Sequence, residues 1–136
     1  MGVTYDQVAA IALALPDVVE GDRHGNRTWF IGKKGFAWER PYSKADIKRF
    51  GDVTPPDGPI LAVSTADLGE KEAVLGSGTK GVFTMTHFDG YPAVLLQLKV
   101  MTVRAVRELV VDAWLACAPD KLAEAYVAAE KPGRRR

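Results

Sequence analysis

The sequence predicts an α+β protein, a two-layer sandwich in which a mostly antiparallel sheet has helices packed on one face. Two observations lead to this class. Amphipathic helical patterns lie near both ends of the chain, and short β-rich runs alternate with turn signals between them. The links between the strands are hairpin-like, which favours antiparallel pairing, and the terminal helices can then cover one face of the sheet.

The chain has the size of one domain, with 136 residues of which 47% are hydrophobic and 26% charged. We expect a single domain over residues 1–130 and a basic, flexible tail over residues 131–136. Apolar runs are far shorter than the roughly 20 residues that cross a bilayer, and the N-terminus does not resemble a signal peptide. The single cysteine, Cys117, cannot form an internal disulfide. A reducing, cytoplasmic location without membrane contact is therefore expected.

The first helix begins with a capping box, because Thr4 and Gln7 have the T-x-x-Q spacing. Pro16 ends the helix. Apolar residues recur at helical spacing between these signals: Val8, Ile11, Ala12 and Leu15.

A β-hairpin is predicted next, from β-rich runs at residues 28–31 and 36–39 that flank a four-residue loop, Gly32–Gly35. A preceding strand over residues 18–23 is more weakly indicated. Alternation places Trp29 and Ile31 on one face of the first strand, and Phe36 and Trp38 together on one face of the second. One aromatic set then packs on the helices. The other is either a contact surface or is covered by residues 41–59.

The second half of the chain completes the sheet and adds the C-terminal helices. The expected elements are a short helix over 43–50 capped by Ser43, a loop over 55–59, strands over 60–64, 82–86 and 93–98, and a helix over 68–75. An Asp-Gly turn within His87–Pro92 joins the last two strands. A helix capped by Thr102 buries one stripe: Val103, Val106, Leu109, Val110, Ala113, Trp114 and Cys117. After Pro119, the last helix turns Leu122, Ala125, Tyr126 and Ala129 inward.

No motif for catalysis or for metal binding is present in the sequence. The chain has two histidines and one cysteine without metal-ligand spacing, and it has no nucleophile elbow and no P-loop. We therefore expect a protein that is not an enzyme, with no catalytic residue, no metal and no cofactor. The enzyme alternative depends on His87 and Tyr91, which flank a turn. The other hypothesis for this turn, which includes His87, Asp89, Gly90 and Tyr91, is a structural or ligand-binding role.

Positive charge is concentrated in one segment, although the net charge of the chain is only +1. Residues 21–50 hold eight bases and three acids, so this segment is +5 and the rest of the chain is −4. Such asymmetry is typical of an anion-facing surface, and also of loops and edge strands that carry Lys and Arg for solubility.

The chain resembles the MmcQ/YjbR family. The most specific match is the His-aromatic-Asp-Gly-Tyr-Pro turn within Val82–Leu96. The other matching stretches are Ile11–Glu20, Gly35–Pro41 and Leu109–Trp114 with Ala118-Pro119. The resemblance implies a frataxin-like two-layer fold and a DNA-binding function through a double-wing arrangement of hairpins. Residues 41–59 form a longer link than the family pattern has after the second hairpin strand.

The sequence thus supports two hypotheses for function. In the first, the protein binds DNA through the basic segment 21–50, with phosphate contacts from Lys33, Lys34, Arg40, Lys44, Lys48 and Arg49. In the second, it is an adaptor domain that binds a protein partner or a small ligand without nucleic acid. That alternative relies on an aromatic, proline-bearing loop that contains Trp38, Pro41, Tyr42, Phe50, Pro55 and Pro56.

Overall fold

The structure, a computed structural model, describes residues 2–134 and the side chains of residues 2–130. The strands are β1 (Val18–Arg23), β2 (Asn26–Ile31), β3 (Lys34–Glu39), β4 (Ile60–Ser64), β5 (Val82–Phe83) and β6 (Ala93–Gln97). The helices are α1 (Tyr5–Leu13), α2 (Lys44–Phe50), α3 (Leu68–Leu75), α4 (Val103–Cys117) and α5 (Asp120–Arg134), with 3-10 turns at Thr86–Phe88 and Leu98–Val100. The strand order is β1-β2-β3-β4-β6-β5, and all neighbours are antiparallel. This confirms the predicted fold class.

The first helix begins as its sequence predicts. The Thr4 side chain accepts a hydrogen bond from the Gln7 N–H (3.1 Å), and the Gln7 side chain accepts one from the Thr4 N–H (2.9 Å). The α4 cap is confirmed in the same way, since the Thr102 hydroxyl accepts from the Ala105 N–H at 3.1 Å. Each such cap contributes about 1 kcal/mol to helix stability.

The main core lies between the sheet and helices α1, α4 and α5. Alternate strand residues point into it, among them Trp29, Ala37 and Leu96, and all three are fully buried. Trp114 of α4 packs there against Tyr126 of α5, with ring centroids 5.1 Å apart. Within residues 2–134, no helix has both the length and the apolar character needed to cross a membrane.

The opposite face of the sheet carries a second, smaller cluster. Ile60 and Ala62 of β4 and Leu95 of β6 pack there against Met85 and Phe88, which belong to the loop between β5 and β6. Partly buried rings complete the cluster: Trp38, Tyr42, Phe50 and Phe83. Residues 41–59 therefore cover part of this face, with α2 as predicted, and leave the β1–β2–β3 side open.

The prediction that Phe36 and Trp38 share one face is wrong. The β2–β3 register shifts between Trp29, which pairs with Ala37, and Phe30, which pairs with Gly35, so Phe36 is an extra residue in a β-bulge. Phe36 packs in the main core and Trp38 in the second cluster. Simple alternation fails because the bulge resets it.

Some predicted boundaries differ from the structure. Ile31 pairs with Lys34, so the hairpin loop has two residues rather than four; Gly32 supplies the positive φ (63°) at its first position, as in a type II′ turn. The strand predicted over 82–86 ends at Phe83, because the chain then turns over the second cluster. Ala125 and Ala129 are exposed rather than inward-facing. A flexible tail is predicted from residue 131, but α5 continues to Arg134. Residues 135–136 lie outside the described residues.

Candidate ligand-binding groove

An open groove of about 920 Å³ lies over the uncovered part of the second face. Three separate segments form it: the β1–β2 turn, the link from β3 to α2, and the turn between β5 and β6. The lining residues are Arg23, His24, Asn26, Trp38, Arg40, Pro41, Tyr42, Ser43, His87, Phe88, Asp89, Gly90 and Tyr91. A volume of this size and this mixture of rings with a few polar groups are typical of small-molecule sites.

The β1–β2 turn forms the first wall of the groove. His24 (φ 57°) and Gly25 (φ 82°) both have positive φ, as a type I′ turn requires, and the Asp22 carboxylate accepts a hydrogen bond from the Gly25 N–H at 3.0 Å. The Arg23 guanidinium lies back over the Phe30 ring, 5.0 Å from its centroid. No acid pairs with Arg23 in the described part of the chain, so its charge is available to a ligand in the groove.

A glycine on β3 allows Arg23 to lie flat on the sheet. A Cβ added at Gly35 would come within 2.9 Å of the Thr28 side chain and 3.3 Å of the Arg23 guanidinium. Thr28 is itself only 1% exposed beneath this layer. The small residue at position 35 thus fixes how close the cation comes to the floor of the groove.

Arg40 forms the middle wall and is held by a buried carboxylate. Its Nη1 donates to Asp46 Oδ2 (2.9 Å) and to the Pro41 carbonyl (2.8 Å), and its guanidinium lies 5.5 Å from the centroid of the Phe88 ring. The Asp46 side chain is 1% exposed and also accepts from the Ser43 N–H. The Nε and Nη2 hydrogens of Arg40 have no acceptor among the described residues, so Arg40 can still donate to a ligand.

Tyr42 closes the groove on the α2 side. Its hydroxyl donates to the Pro56 carbonyl at 2.7 Å, and its ring meets Phe50 edge-on at 5.5 Å. Burial, followed by the charges of Asp46 and Asp57, raises the pKa of Tyr42 to about 12. The hydroxyl therefore stays protonated and keeps the proline-rich loop against the second cluster.

The turn between β5 and β6 forms the far wall and is anchored from beneath by Lys71 of α3. This side chain is only 4% exposed, and its Nζ donates to the carbonyls of Phe88 and Tyr91 (2.8 Å for Tyr91). Gly90 has φ 75°, and the Tyr91 N–H donates to the Phe88 carbonyl at 3.0 Å, which closes the turn. Both turn carbonyls thus satisfy a buried ammonium group, and the turn is fixed in place.

The turn residues predicted as a site lie together at this wall. His87, Asp89 and Gly90 are exposed, and Tyr91 is 51% exposed. The His87 ring touches Phe88 edge-on at 5.7 Å, and no hydrogen bond of its side chain is present among the described residues. Lys71, rather than His87, anchors the turn.

The six basic residues predicted to contact DNA do not form one surface. Lys33 and Lys34 lie at the β2–β3 turn, at the opposite end of β3 from Arg40, which is a separation of about 20 Å for a strand of this length. Arg40 and Arg49 both pair with Asp46, at 2.9 and 3.7 Å. Lys44 and Lys48 of α2 are exposed, without an ion pair in the described part of the chain.

The aromatic loop predicted as an adaptor surface is largely packed. Trp38, Tyr42 and Phe50 belong to the second cluster and are only partly exposed. A smaller pocket of about 200 Å³ beside α2 shares His87 with the groove and is also lined by Arg49. Among the described side chains, no group of three or more His, Cys, Asp or Glu could hold a metal ion.

Sequence reasoning did not find Lys71, Arg23 or Asn26 as parts of a site. In the sequence, Lys71 is a lysine within a short helix that ends at a glycine. Such a lysine looks like an ordinary surface residue. Its burial follows only from the position of α3 beside β5 and β6. The sequence did not predict the β1–β2 turn as part of a site, because the strand pattern of β1 is weak.

The left-handed backbone conformation at His24 gives a testable prediction for stability. A non-glycine residue in this left-handed region costs roughly 1 kcal/mol, and asparagine suits the first position of a type I′ turn better than histidine does. His24→Asn is expected to raise the free energy of unfolding by about 0.5–1 kcal/mol, measured by urea denaturation. A loss of stability in this variant would contradict the assigned turn geometry.

Fold and groove together define a class: an α+β protein with an open groove on the less covered face of its sheet. Among proteins of known sequence, the chain is 42% identical over 128 residues to the uncharacterized protein Rv2570 of Mycobacterium tuberculosis, which covers 92% of this chain and 96% of that protein. The uncharacterized protein Mb2600 of Mycobacterium bovis matches to the same extent. The chain belongs to the family of these mycobacterial proteins. No family model and no solved structure matches it.

Proposed function

We propose that this protein is a non-enzymatic binding domain, and that the groove on the second face is its site for a small anionic ligand. The observation that carries this proposal is the groove of about 920 Å³ itself, which is lined both by Arg23, without an acid partner among the described residues, and by the incompletely buried rings of Trp38 and Tyr91. Cations beside ring faces favour ligands that are both planar and negatively charged. The alternative of a small-ligand domain therefore takes precedence over a protein adaptor, whose aromatic loop is packed.

The position of Trp38 allows a direct test. Trp29 and Trp114 are fully buried, so Trp38 is the tryptophan that a ligand in the groove can reach. We expect anilinonaphthalene sulfonate, an aromatic anion, to quench tryptophan emission on titration. Arg23→Ala is expected to weaken this binding about tenfold, the equivalent of one charge-assisted contact.

Lys33→Ala is the matched control, because it removes an exposed cation of the β2–β3 turn that does not line the groove. Its affinity for the probe should equal that of the wild type. Trp38→Phe should reduce the emission change, because Trp38 lines the groove, while the fluorescence of the bound probe is retained. Equal losses in Arg23→Ala and Lys33→Ala would show that the probe reports general charge and would overturn the groove as the site.

DNA binding is a second candidate, supported by the exposed Lys44 and Lys48 on α2 near the groove. The resemblance to the MmcQ/YjbR family is part of this proposal, and an antiparallel sheet with α1, α4 and α5 on one face agrees with the fold expected for it. Binding to duplex DNA would weaken steeply with salt, with a log–log slope of about −0.9 per phosphate contact. Lys33 and Lys34 lie at the other end of the sheet from Lys44. If DNA contacts both places, as a double wing implies, Lys33→Ala and Lys44→Ala should both weaken binding. An effect of Lys44→Ala alone restricts the contact to α2.

A further inference from the structure

We infer that the ligand of the groove is a nucleotide unit, a base ring that carries a phosphate. This inference rests on the proposed function and specifies the chemical class of its ligand. The reasons are three kinds of group that the structure places in one groove: cations with free donors, exposed ring faces, and an unpaired amide. Each kind corresponds to one part of a nucleotide.

The phosphate is accounted for by a guanidinium group, and Arg23 is the one in the groove without an acid partner among the described residues. Arg40 keeps its Nε and Nη2 hydrogens for an additional acceptor. Both guanidinium groups lie over rings, Arg23 at 5.0 Å from the Phe30 centroid and Arg40 at 5.5 Å from the Phe88 centroid. Planar forks with free N–H groups match the oxygens of a phosphate better than a flexible lysine does.

The base is accounted for by stacking and by an edge contact. Trp38 and Tyr91 line the groove and are not fully buried, and ring-on-ring stacking is worth about 1–3 kcal/mol per base in proteins that bind single strands. Asn26 also lines the groove, and its side-chain amide makes no hydrogen bond among the described residues. An amide offers a donor and an acceptor side by side, which is the pattern of a base edge.

The sugar of the same ligand is accounted for by an exposed carboxylate in the groove. Asp89 is exposed at the turn and is the carboxylate that lines the groove. A carboxylate at this place repels a second phosphate and accepts from the hydroxyls of a ribose. The groove thus suits one phosphate at Arg23 and a sugar toward Asp89.

Calorimetric titration of the whole protein tests the inference. The ligands are adenosine, cytidine and their monophosphates, together with inorganic phosphate alone and a short single strand with a phosphorylated end. At least one monophosphate is expected to bind about tenfold or more tightly than its nucleoside and than phosphate alone. Arg23→Ala should remove the advantage of the phosphate without changing nucleoside affinity, whereas Trp38→Ala weakens both ligands. Lys33→Ala should change neither.

The two sources of a nucleotide unit give different results. A free nucleotide predicts that the monophosphate binds at least as tightly as the strand. A strand end predicts tighter binding of the strand, still dependent on Arg23. If no monophosphate or strand competes with anilinonaphthalene sulfonate for the groove, the ligand class is wrong and the proposed binding site stands. If the probe itself does not bind in the groove, both fail. A nucleoside that binds as tightly as its monophosphate also overturns the inference.

Discussion

Replacing Lys71 by alanine is expected to destabilise the protein by about 2–4 kcal/mol, because a buried ammonium group and both of its hydrogen bonds are lost. In the wild type this group satisfies the carbonyls of Phe88 and Tyr91. Without it, those carbonyls lose their charged donor, and the stem of the lysine leaves a cavity. Urea denaturation monitored by circular dichroism measures the change.

The same substitution is expected to remove ligand binding, since the Phe88–Tyr91 turn forms one wall of the groove. Lys71→Met separates packing from charge: it keeps most of the apolar stem but should still lose about 1.5–3 kcal/mol, the value of hydrogen bonds to a charged group. Lys121→Ala on α5 is the matched control, as an exposed lysine whose removal should change stability by less than about 0.5 kcal/mol. A similarly small change for Lys71→Ala would refute the anchoring role.

Replacing Asp46 by alanine is expected to cost about 3–5 kcal/mol, because it leaves the Arg40 guanidinium without its partner in a largely buried place. The Arg40 side chain is 16% exposed and that of Asp46 is 1% exposed. The change also removes the acceptor for the Ser43 N–H and so half of the α2 capping box. Thermal unfolding of the variant measures the loss. Asp52→Ala, in the exposed segment after α2, is the control and should unfold at the wild-type temperature.

Asp46 also predicts a pH dependence. Burial by itself would raise the pKa of Asp46, but hydrogen bonds from Ser43 and Arg40 and the charge of Arg40 outweigh burial and hold it below the usual value. A carboxyl with a lowered pKa stabilises the fold above its unfolded pKa of about 3.9, and this contribution is lost as the pH falls through the folded pKa. The stability difference between wild type and Asp46→Asn should therefore be constant near neutral pH and shrink below about pH 4. A difference that does not change across this range would contradict the ion pair.

Local signals in the sequence predicted the helices well. Both capping residues of α1 and α2, Thr4 and Ser43, do in the structure what their spacing indicates, because a capping box depends on residues only three apart. Helix α4 also follows its stripe, with Val106, Val110 and Trp114 buried. The strand order and the position of the bulge could not be derived in this way, since they depend on register between separate segments.

The candidate site was predictable only in part for the same reason. The turn with Asp89 and Gly90 was visible because its residue types demand a tight turn. Lys71 contacts the turn from 17 residues before Phe88, and Arg23 lines the same groove from much farther along the chain, so no pattern in the sequence shows that they belong to one site. The basic residues predicted to contact DNA do not form one surface, because the length of β3 separates Lys34 from Arg40.

The most direct test of the groove is an NMR titration that follows backbone amides and the three tryptophan indole N–H signals. The probe is anilinonaphthalene sulfonate, followed by adenosine monophosphate. Binding in the groove predicts shifts that cluster at residues 23–26, 38–43 and 87–91, with the Trp38 indole moving and those of Trp29 and Trp114 still. Shifts centred on Lys33 and Lys34, with the Trp38 indole unmoved, would contradict the groove as the binding site.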